Sequence, residues 1–194
     1  MEPFTNLRSR LIPLLAPDVD TDQIIPAQYI NVSGRGALSD ALFARLREQD
    51  PSFILNRPEM SGRAVMLVAS NFGCGSSREA AAWALAAWGI RALIGRSFNA
   101  TFHNNCLQNG VLPITAPAEA HSRLCEAVAA QPGLEVSIDL ERECVQVPEA
   151  AIEFATDVEQ FARDLLLRGV DELQYLLDRR TKIEAYENQV GVLQ

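Results

Sequence analysis

The sequence predicts an α/β fold whose sheet is mixed, partly parallel, and extended by an added β-layer. Three short apolar runs, at residues 64–69, 92–95 and 111–115, have the length and composition of strands buried on both faces. Segments with helical spacing separate these runs, and strand–helix–strand units of this size require parallel pairing with right-handed crossovers. Beyond residue 133 three short strands follow one another with only turns between them, which is typical of antiparallel pairing.

The remaining elements follow from local signals along the chain. Residues 10–15 form an early strand in which Pro13 indicates an edge position, because proline cannot donate to the ladder. Thr156 and Glu159 have the spacing of a capping box and predict a helix that ends at Gly169. The predicted helices cover residues 38–50, 76–88, 99–109, 117–130, 156–169 and 170–180, and the predicted antiparallel strands cover 134–140, 144–147 and 151–155.

Length and composition indicate one globular domain that spans residues 1–194. The chain is 48% apolar and 22% charged, which is ordinary for a soluble protein with its own core. A net charge of −8 excludes a general nucleic-acid binder, because no basic surface is available to neutralise phosphates. No stretch has the roughly 18 consecutive apolar residues of a membrane span, and the polar start does not resemble a signal peptide. We therefore expect a cytoplasmic protein that does not bind membranes.

Residue types that ligate metals are few and scattered. The four cysteines, Cys74, Cys106, Cys125 and Cys144, form no Cys-x-x-Cys pair, so we expect this chain to hold no metal or iron–sulfur cluster. Buried free thiols are the expected state of most of them, whereas Cys74 lies inside a glycine turn. His121 falls on a polar amphipathic helix, and we predict that it is a surface residue.

One turn carries most of the candidate chemistry. Gly73 and Gly75 lie between a buried strand and a helix, and Ser76, Ser77 and Arg78 follow at the predicted start of that helix. A helix start offers unpaired backbone N–H groups and a partial positive charge, which together bind anions. Glycine lets the backbone approach a ligand closely, and an arginine adds a planar fork suited to a carboxylate or phosphate.

The same residues also allow a plainer interpretation. Ser76 and Glu79 have the spacing of a capping box, in which both side chains only satisfy backbone donors. A Walker phosphate loop is excluded because no Gly-Lys-Ser/Thr follows the glycines, and the dinucleotide fingerprint is excluded because Arg78 occupies its third glycine position. The residues alone therefore leave an anion site and a helix cap as alternatives.

Four ordered segments then make a resemblance specific. Residues 71–79, with the sequence Asn-Phe-Gly-Cys-Gly-Ser-Ser-Arg-Glu, resemble the signature of the aconitase-type swivelling domain, in the form found in small subunits of 3-isopropylmalate dehydratase (isopropylmalate isomerase). Three further segments are similar to that family in the same order, at residues 18–26, at 97–98 with 104–106 and 109–113, and at 182–187. The resemblance covers essentially the whole chain and implies a three-layer β/β/α swivelling domain.

The resemblance implies a hydro-lyase of leucine biosynthesis. Such an enzyme isomerises 2-isopropylmalate to 3-isopropylmalate by removing water and adding it back at the neighbouring carbon. In two-subunit members a separate large subunit carries a four-iron four-sulfur cluster, so this chain would bind no cofactor and would be active only with that partner. Its other partner would be the small hydroxy-dicarboxylate substrate.

The resemblance also assigns roles to particular residues. It makes Ser76 the base that takes the proton next to a carboxylate. It makes Ser77, Arg78 and the backbone of Gly75 hold a substrate carboxylate. The loop with Asp20, Thr21 and Asp22 would face the site and contact substrate, the alternative being a polar loop of Asx turns. Residues 28–38 would line the pocket for the side group of the substrate, through Tyr29, Ile30, Asn31 and Arg35.

Two positions depart from the family pattern. Asn31 follows Tyr29 and Ile30 where a basic residue is usual, and Ala80 follows Glu79 where histidine is usual. These departures leave open a paralogous dehydratase for another 2-substituted malate, such as citramalate, dimethylmalate or an aryl-alkyl malate. They also leave open a non-catalytic module that binds a carboxylate.

Overall fold

The computed structural model describes residues 1–32 and 34–190. Its strands are β1 (Asn6–Leu14), β2 (Val65–Val68), β3 (Ala92–Gly95), β4 (Leu112–Thr115), β5 (Glu135–Asp139), β6 (Cys144–Val147) and β7 (Ile152–Ala155). These strands form one seven-stranded sheet with the order β4-β3-β2-β1-β5-β6-β7. The pairs β1–β2, β2–β3 and β3–β4 are parallel, and the pairs β1–β5, β5–β6 and β6–β7 are antiparallel. The predicted mixed sheet is confirmed.

The strand β1 is central rather than an edge strand, so the prediction from Pro13 is wrong. The first half of β1 pairs with β5 as far as Arg10, and Leu11 still donates to the carbonyl of Leu134 at 3.2 Å. Pro13 pairs with Leu67 of β2 on one side only. Its nitrogen faces the same side as that of Leu11, beyond the point where β5 has ended. Because no donor is needed there, a proline is tolerated inside a central strand.

The sheet separates two apolar clusters. On one face, alternate side chains of the parallel strands, Ile12, Met66, Val68 and Leu93 among them, pack against the helices that follow β1, β2 and β3. On the other face, Leu11, Val65, Leu67 and Ile94 share a cluster with side chains of β5, β6 and β7. The antiparallel half therefore lies against the parallel half as a second β-layer, which agrees with the predicted three-layer β/β/α arrangement.

The helices connect and flank these layers. They are α1 (Thr21–Ile24), α2 (Arg35–Ala41), α3 (Ala44–Gln49), α4 (Ala80–Trp88), α5 (Ala100–Gln108), α6 (Ala118–Ala130), α7 (Gln160–Arg168), α8 (Glu172–Leu177) and α9 (Arg180–Val190). Within the described ranges, none of these helices combines the length and the apolar character that crossing a bilayer requires.

The predicted helix over residues 38–50 is broken into α2 and α3. Phe43 adopts a left-handed conformation, with φ of 50°, and is completely buried. Its N–H donates to the carbonyl of Ile24 at 2.8 Å, and its ring lies 5.7 Å from that of Phe53. These tertiary contacts outweigh the continuous helical spacing of the sequence.

Both predicted capping boxes, at Ser76 and at Thr156, are absent from the structure. The helix α4 begins at Ala80 with Glu79 at its N-cap, and α7 begins at Gln160 with Glu159 at its N-cap. Neither N-cap side chain bonds the backbone of its helix. The hydroxyl of Thr156 is buried without a hydrogen-bond partner among the described residues. Beyond Gly169, the helix predicted over 170–180 is the shorter α8, and a further helix that was not predicted, α9, begins at Arg180.

His121 is buried rather than a surface residue, so that prediction is also wrong. It lies on the face of α6 that packs on the sheet and is 7% exposed. Its Nε2 atom is 2.7 Å from the carbonyl oxygen of Val68, and this ring nitrogen must therefore carry the proton. The histidine thus fixes α6 to the carboxyl end of β2.

A buried arginine fixes the junction of the two halves of the sheet. Arg63 is 8% exposed, and its Nη1 donates to the carbonyls of Leu11 at 2.6 Å and Pro132 at 3.1 Å. Its Nε donates to the carbonyl of Glu59 at 2.9 Å. Burial lowers the pKa of the Arg63 guanidinium from its ordinary value, because the charged form has lost water. The three carbonyls stabilise that charge where β5 approaches β1.

Replacing this arginine should destabilise the fold. We expect Arg63→Met to lower the free energy of unfolding by about 3 kcal/mol, because buried carbonyls lose their donor while the side-chain length is kept. The matched control is Arg57→Met at an exposed position, which should change stability by less than about 0.5 kcal/mol. Urea unfolding monitored by circular dichroism measures both. Equal unfolding midpoints for the two variants would contradict this role of Arg63.

Candidate active site

The candidate site lies where the parallel strands end. The loop after β1, the turn after β2 and the segment after β3 meet at the carboxyl edge of the sheet, the usual place for ligands in α/β folds. Two isolated parallel bridges join them, one between Asp20 and Cys74 and one between Phe72 and Phe98. Three of the segments that carry the resemblance, at residues 18–26, 71–79 and 97–98, are thus brought together.

Backbone hydrogen bonds connect the loop after β1 to the turn after β2. The N–H of Asp18 donates to the carbonyl of Ser70 at 3.1 Å, and the N–H of Gly73 donates to the carbonyl of Val19 at 2.8 Å. The N–H of Thr21 donates to the carbonyl of Cys74 at 2.9 Å. This alternating pattern holds the two segments side by side like a short parallel ladder.

Ser76 extends from this ladder toward solvent. Its Oγ lies 2.9 Å from Oγ1 of Thr21, and its backbone N–H donates to the same Thr21 oxygen at 3.2 Å. Thr21 is 1% exposed, whereas Ser76 is exposed. Because α4 begins only at Ala80, Ser76 is not a helix cap, and the plainer interpretation of the motif is excluded.

Glu79 is bonded to neighbouring helices instead of to Ser76. Its Oε1 accepts from Nε1 of Trp83 at 3.2 Å and from Nδ2 of Asn109 at 3.1 Å. The predicted reciprocal bond to the backbone of Ser76 is therefore replaced by contacts that join α4 to the end of α5. This leaves the residues before Ala80 outside the helix, in bends and a turn, with Gly75, Ser76 and Ser77 exposed.

Arg78 lies beside Ser76 and is held by the same loop. Its Nη1 donates to Oδ1 of Asp22 at 2.5 Å and to the carbonyl of Ile25 at 3.1 Å. The Arg78 side chain is 16% exposed, whereas that of Asp22 is 64% exposed. Both bonds use Nη1, and Nη2 and Nε have no hydrogen-bond partner among residues 1–32 and 34–190, so they can pair with an anion.

Asp20 orders the loop. Its side chain caps α1 by accepting from the N–H of Gln23 at 2.7 Å, and the Gln23 side chain accepts from the N–H of Asp20 at 2.9 Å. This reciprocal capping fixes the start of α1, and with it Thr21 and Asp22. The structure therefore brings together Asp20, Thr21, Asp22, Gly75, Ser76, Ser77 and Arg78.

Comparisons with known proteins agree with this geometry. Residues 1–119, which carry β1–β4 and the whole turn, match the family described as the aconitase C-terminal domain. A 3-isopropylmalate dehydratase small subunit from Solibacter usitatus is 46% identical over 187 residues, covering 96% of this chain and 94% of that protein. A protein of the same name from Herpetosiphon aurantiacus is 42% identical over 187 residues, with the same coverage of both chains.

This chain belongs to the 3-isopropylmalate dehydratase small-subunit family, within the aconitase C-terminal domain family. A solved structure gives the same result, since the crystal structure of 3-isopropylmalate dehydratase from Methanocaldococcus jannaschii superposes with a TM-score of 0.69. That protein is 27% identical, and the alignment covers 94% of this chain and 99% of the other. The α/β fold expected from the resemblance is thus confirmed.

Not every residue expected from the small-subunit resemblance lies near Ser76. Tyr29 and Ile30 are half-buried beside α1, with Asn31 exposed after them, and Ser33 lies outside the described residues. Arg35 is at the start of α2, where its Nε donates to the carbonyl of Ala87 at 3.4 Å. Ala87 is in the last turn of α4, about 10 Å along the helix from its start. The structure therefore does not bring Arg35 to the turn.

The sequence did not point to two residues that lie near the candidate site. Asn71 is left-handed, with φ of 56°, and its side chain donates to Oδ1 of Asp18 at 2.8 Å, which fixes the start of the turn. Arg45 of α3 lines two shallow clefts together with Asp22, the residue that Arg78 bonds. Asn71 stands within the signature itself, but no local signal marked Arg45.

Cysteines of this small-subunit family member do not assemble a cluster site. Cys106 is completely buried, and burial raises the pKa of its thiol far above the ordinary value. Partial burial, with Asp20 and Asp18 nearby, also raises the pKa of the Cys74 thiol. Across residues 1–32 and 34–190, no group of three or more His, Cys, Asp or Glu side chains is arranged to hold a metal ion.

The turn depends on a close contact at Gly73. A Cβ atom there would lie 2.1–2.6 Å from the ring of Phe102, and φ is +75°. We expect Gly73→Ala to cost about 3 kcal/mol of unfolding free energy, from left-handed strain plus the ring clash. Gly62→Ala is the matched control, because Gly62 has φ of +77° and open space around it.

The control should cost only about 1 kcal/mol, the strain part alone. Chemical denaturation of the two variants beside the wild type separates the strain from the clash. A Gly73→Ala variant no less stable than Gly62→Ala would show that Phe102 moves away at no cost.

Proposed function

We propose that this chain is the small subunit of a 3-isopropylmalate dehydratase, which interconverts 2-isopropylmalate and 3-isopropylmalate in leucine biosynthesis. The observation that carries the proposal is the placement of Ser76 and Arg78 on one turn, held by Thr21 and Asp22 of the neighbouring loop. Relatives that are 42–46% identical over nearly the whole chain bear this name. The alternative malates raised by Asn31 and Ala80 are not favoured by these relatives.

The position of Ala80 also argues against a changed substrate. Ala80 is 3% exposed and packs in the cluster between the helices and the sheet. Its side chain points into the core at the first residue of α4, away from the exposed stretch that carries Ser76 and Ser77. Alanine in place of histidine therefore removes a polar group from the core side of the helix.

Arg78 would bind one carboxylate of the substrate. The chain has a net charge of −8, so attraction of a dicarboxylate has to come from a local cation. The guanidinium is oriented through Nη1 by Asp22 and by the carbonyl of Ile25, so its remaining N–H groups are presented in a fixed direction. Exposed hydroxyl and backbone donors at Ser77 and Gly75 lie beside it.

Ser76 would move the proton. As the base, Ser76 acts as an alkoxide: its hydroxyl proton leaves to solvent, the charged Oγ takes the proton from the carbon next to the bound carboxylate, and the resulting hydroxyl returns that proton in the reverse direction. A serine hydroxyl is a weak base at its free pKa, and each unit by which that pKa falls requires about 1.4 kcal/mol. Such stabilisation needs donors aimed at the oxygen in a site closed to water.

A large subunit would close the site. Ser76, Ser77 and Asp22 are exposed in this chain, so a second surface is required to exclude water from them. The four-iron four-sulfur cluster expected on that subunit would supply Lewis-acid assistance to departure of the hydroxyl. We also propose a reducing, cytoplasmic location, which the four free cysteines support.

The base assignment is tested by Ser76→Ala in the complete complex. Wild type and variant are each combined anaerobically with the iron-reconstituted large subunit, and formation of the unsaturated intermediate is followed from 2-isopropylmalate, citramalate and dimethylmalate. We expect wild type to prefer 2-isopropylmalate and Ser76→Ala to lose about 10³-fold in kcat. Ser122→Ala, at an exposed helix position, should retain full activity. A fully active Ser76→Ala complex would refute the base role, and a wild-type complex that turns over only another malate would refute the substrate.

The carboxylate assignment is tested by Arg78→Lys. Lysine keeps the charge but loses the planar fork, so we expect KM for 2-isopropylmalate to rise about 10- to 100-fold. The kcat at saturation should change less than KM, because the substrate carboxylate is bound before and during the reaction. Steady-state kinetics of the reconstituted complex measure both. An unchanged KM would show that another cation, such as Arg45, binds the substrate.

A further inference from the structure

The buried hydroxyl of Thr21 has a role beyond the resemblance. The resemblance expects Thr21 to contact substrate, but the residue is 1% exposed and its hydroxyl faces Ser76. We propose that Thr21 is a positioning residue, whose O–H donates to Oγ of Ser76 and stabilises that oxygen when it is negatively charged. This proposal rests on the proposed function, in which Ser76 is the base.

Counting protons gives the direction of the hydrogen bond. A hydroxyl has one hydrogen to donate and two lone pairs to accept. Oγ1 of Thr21 already accepts the backbone N–H of Ser76 at 3.2 Å. Its only other hydrogen-bond contact among the described residues is Oγ of Ser76 at 2.9 Å. If Ser76 were the donor, the Thr21 hydrogen would be buried with no acceptor, which is costly, so Thr21 donates.

The position of the Thr21 hydroxyl is fixed from both sides. The N–H of Thr21 donates to the carbonyl of Cys74, and Asp20 caps the helix in which Thr21 is the first residue. Near the hydroxyl, Gly75 has φ of +93°, and a Cβ atom there would lie 3.5 Å from Oγ1 of Thr21. The donor therefore needs no rearrangement when charge develops on Ser76, which is the condition for effective electrostatic stabilisation.

This arrangement also sets where the Ser76 proton points. With Thr21 as the donor, the hydrogen of Ser76 cannot lie on the line between the two oxygens. It must point away from Thr21, toward the exposed side of the turn, where the substrate would bind. One buried hydroxyl thus orients the reactive hydrogen and stabilises the oxygen that remains after its loss.

The test compares Thr21→Val with Thr21→Ser in the reconstituted two-subunit complex, with 2-isopropylmalate as substrate. Valine keeps the shape but loses the donor, and serine keeps the donor. We expect Thr21→Val to lower kcat about 10²-fold with KM within about threefold, the effect of removing one oxyanion donor. Thr21→Ser should stay within about fivefold of wild type. The control Thr5→Val, at an exposed position near the N-terminus, should be fully active.

The pH dependence distinguishes this role from a merely structural one. Losing a donor to the charged oxygen raises the pKa of the base, so the limb of kcat that rises with pH should move about one to two units higher in Thr21→Val. A uniform loss of kcat with an unmoved profile, or equal losses in both variants, would overturn the proposal. Failure of the wild-type complex to convert 2-isopropylmalate would instead overturn the proposed function. A Thr21→Val complex as active as wild type would overturn the role of Thr21 alone.

Discussion

The backbone hydrogen bonds between the loop after β1 and the turn after β2 are the constraint on which the site depends. Each segment alone carries half of the candidate chemistry, Thr21 and Asp22 on the loop and Ser76 and Arg78 on the turn. Parallel pairing of β1 with β2 places the two segments side by side at one edge of the sheet. The hydrogen bonds from Gly73 to Val19 and from Thr21 to Cys74 then fix the spacing of the two segments. The entropy cost of ordering both loops is therefore met when the chain folds and does not reduce the affinity for a ligand.

Because α4 begins only at Ala80, the hydrogen-bond partners of Ser76 and Arg78 are not those of a helix end. A helix that began at Ser76 would direct backbone donors along its axis, and the macrodipole would supply about 1 to 2 kcal/mol at most. Instead the residues before Ala80 form bends and a turn, Glu79 bonds side chains of α4 and of the end of α5, and the hydrogen-bond partner of Ser76 is the Thr21 hydroxyl of the neighbouring loop. The close contact of Gly73 with Phe102 packs the start of the turn against α5. The candidate anion site is therefore built by tertiary contacts more than by a helix end.

The sequence predicted most of the sheet and placed the turn with Gly73 and Gly75 directly after β2. Apolar runs and short spacings indicated the parallel and antiparallel halves, because these signals are local and strong. It failed where distant residues decide the outcome. Phe43 breaks a helix because Ile24 and Phe53 hold it, His121 is buried because it reaches Val68, and Pro13 is central because β5 ends beside it. The turn also contains the local pattern of a capping box, but Ser76 is bonded to Thr21 instead of capping α4. No signal near Ser76 in the sequence indicates this contact with a residue 55 positions earlier.

The distribution of exposure across the site explains why one chain is not sufficient. Thr21 is buried and Arg78 nearly so, whereas Ser76, Ser77 and Asp22 face solvent. Thr21, which orients Ser76, is thus fixed inside the fold, whereas Ser76 and Ser77, which would meet the substrate, stand at the surface beside the partly exposed guanidinium of Arg78. Water at that surface weakens every charge interaction the site offers, since the same pair of charges is worth several times less in water than at a partly buried site. Covering the turn with a second subunit would strengthen the effect of Arg78 and of the donor at Thr21 without moving either, so assembly itself would be the step that makes the prearranged residues reactive.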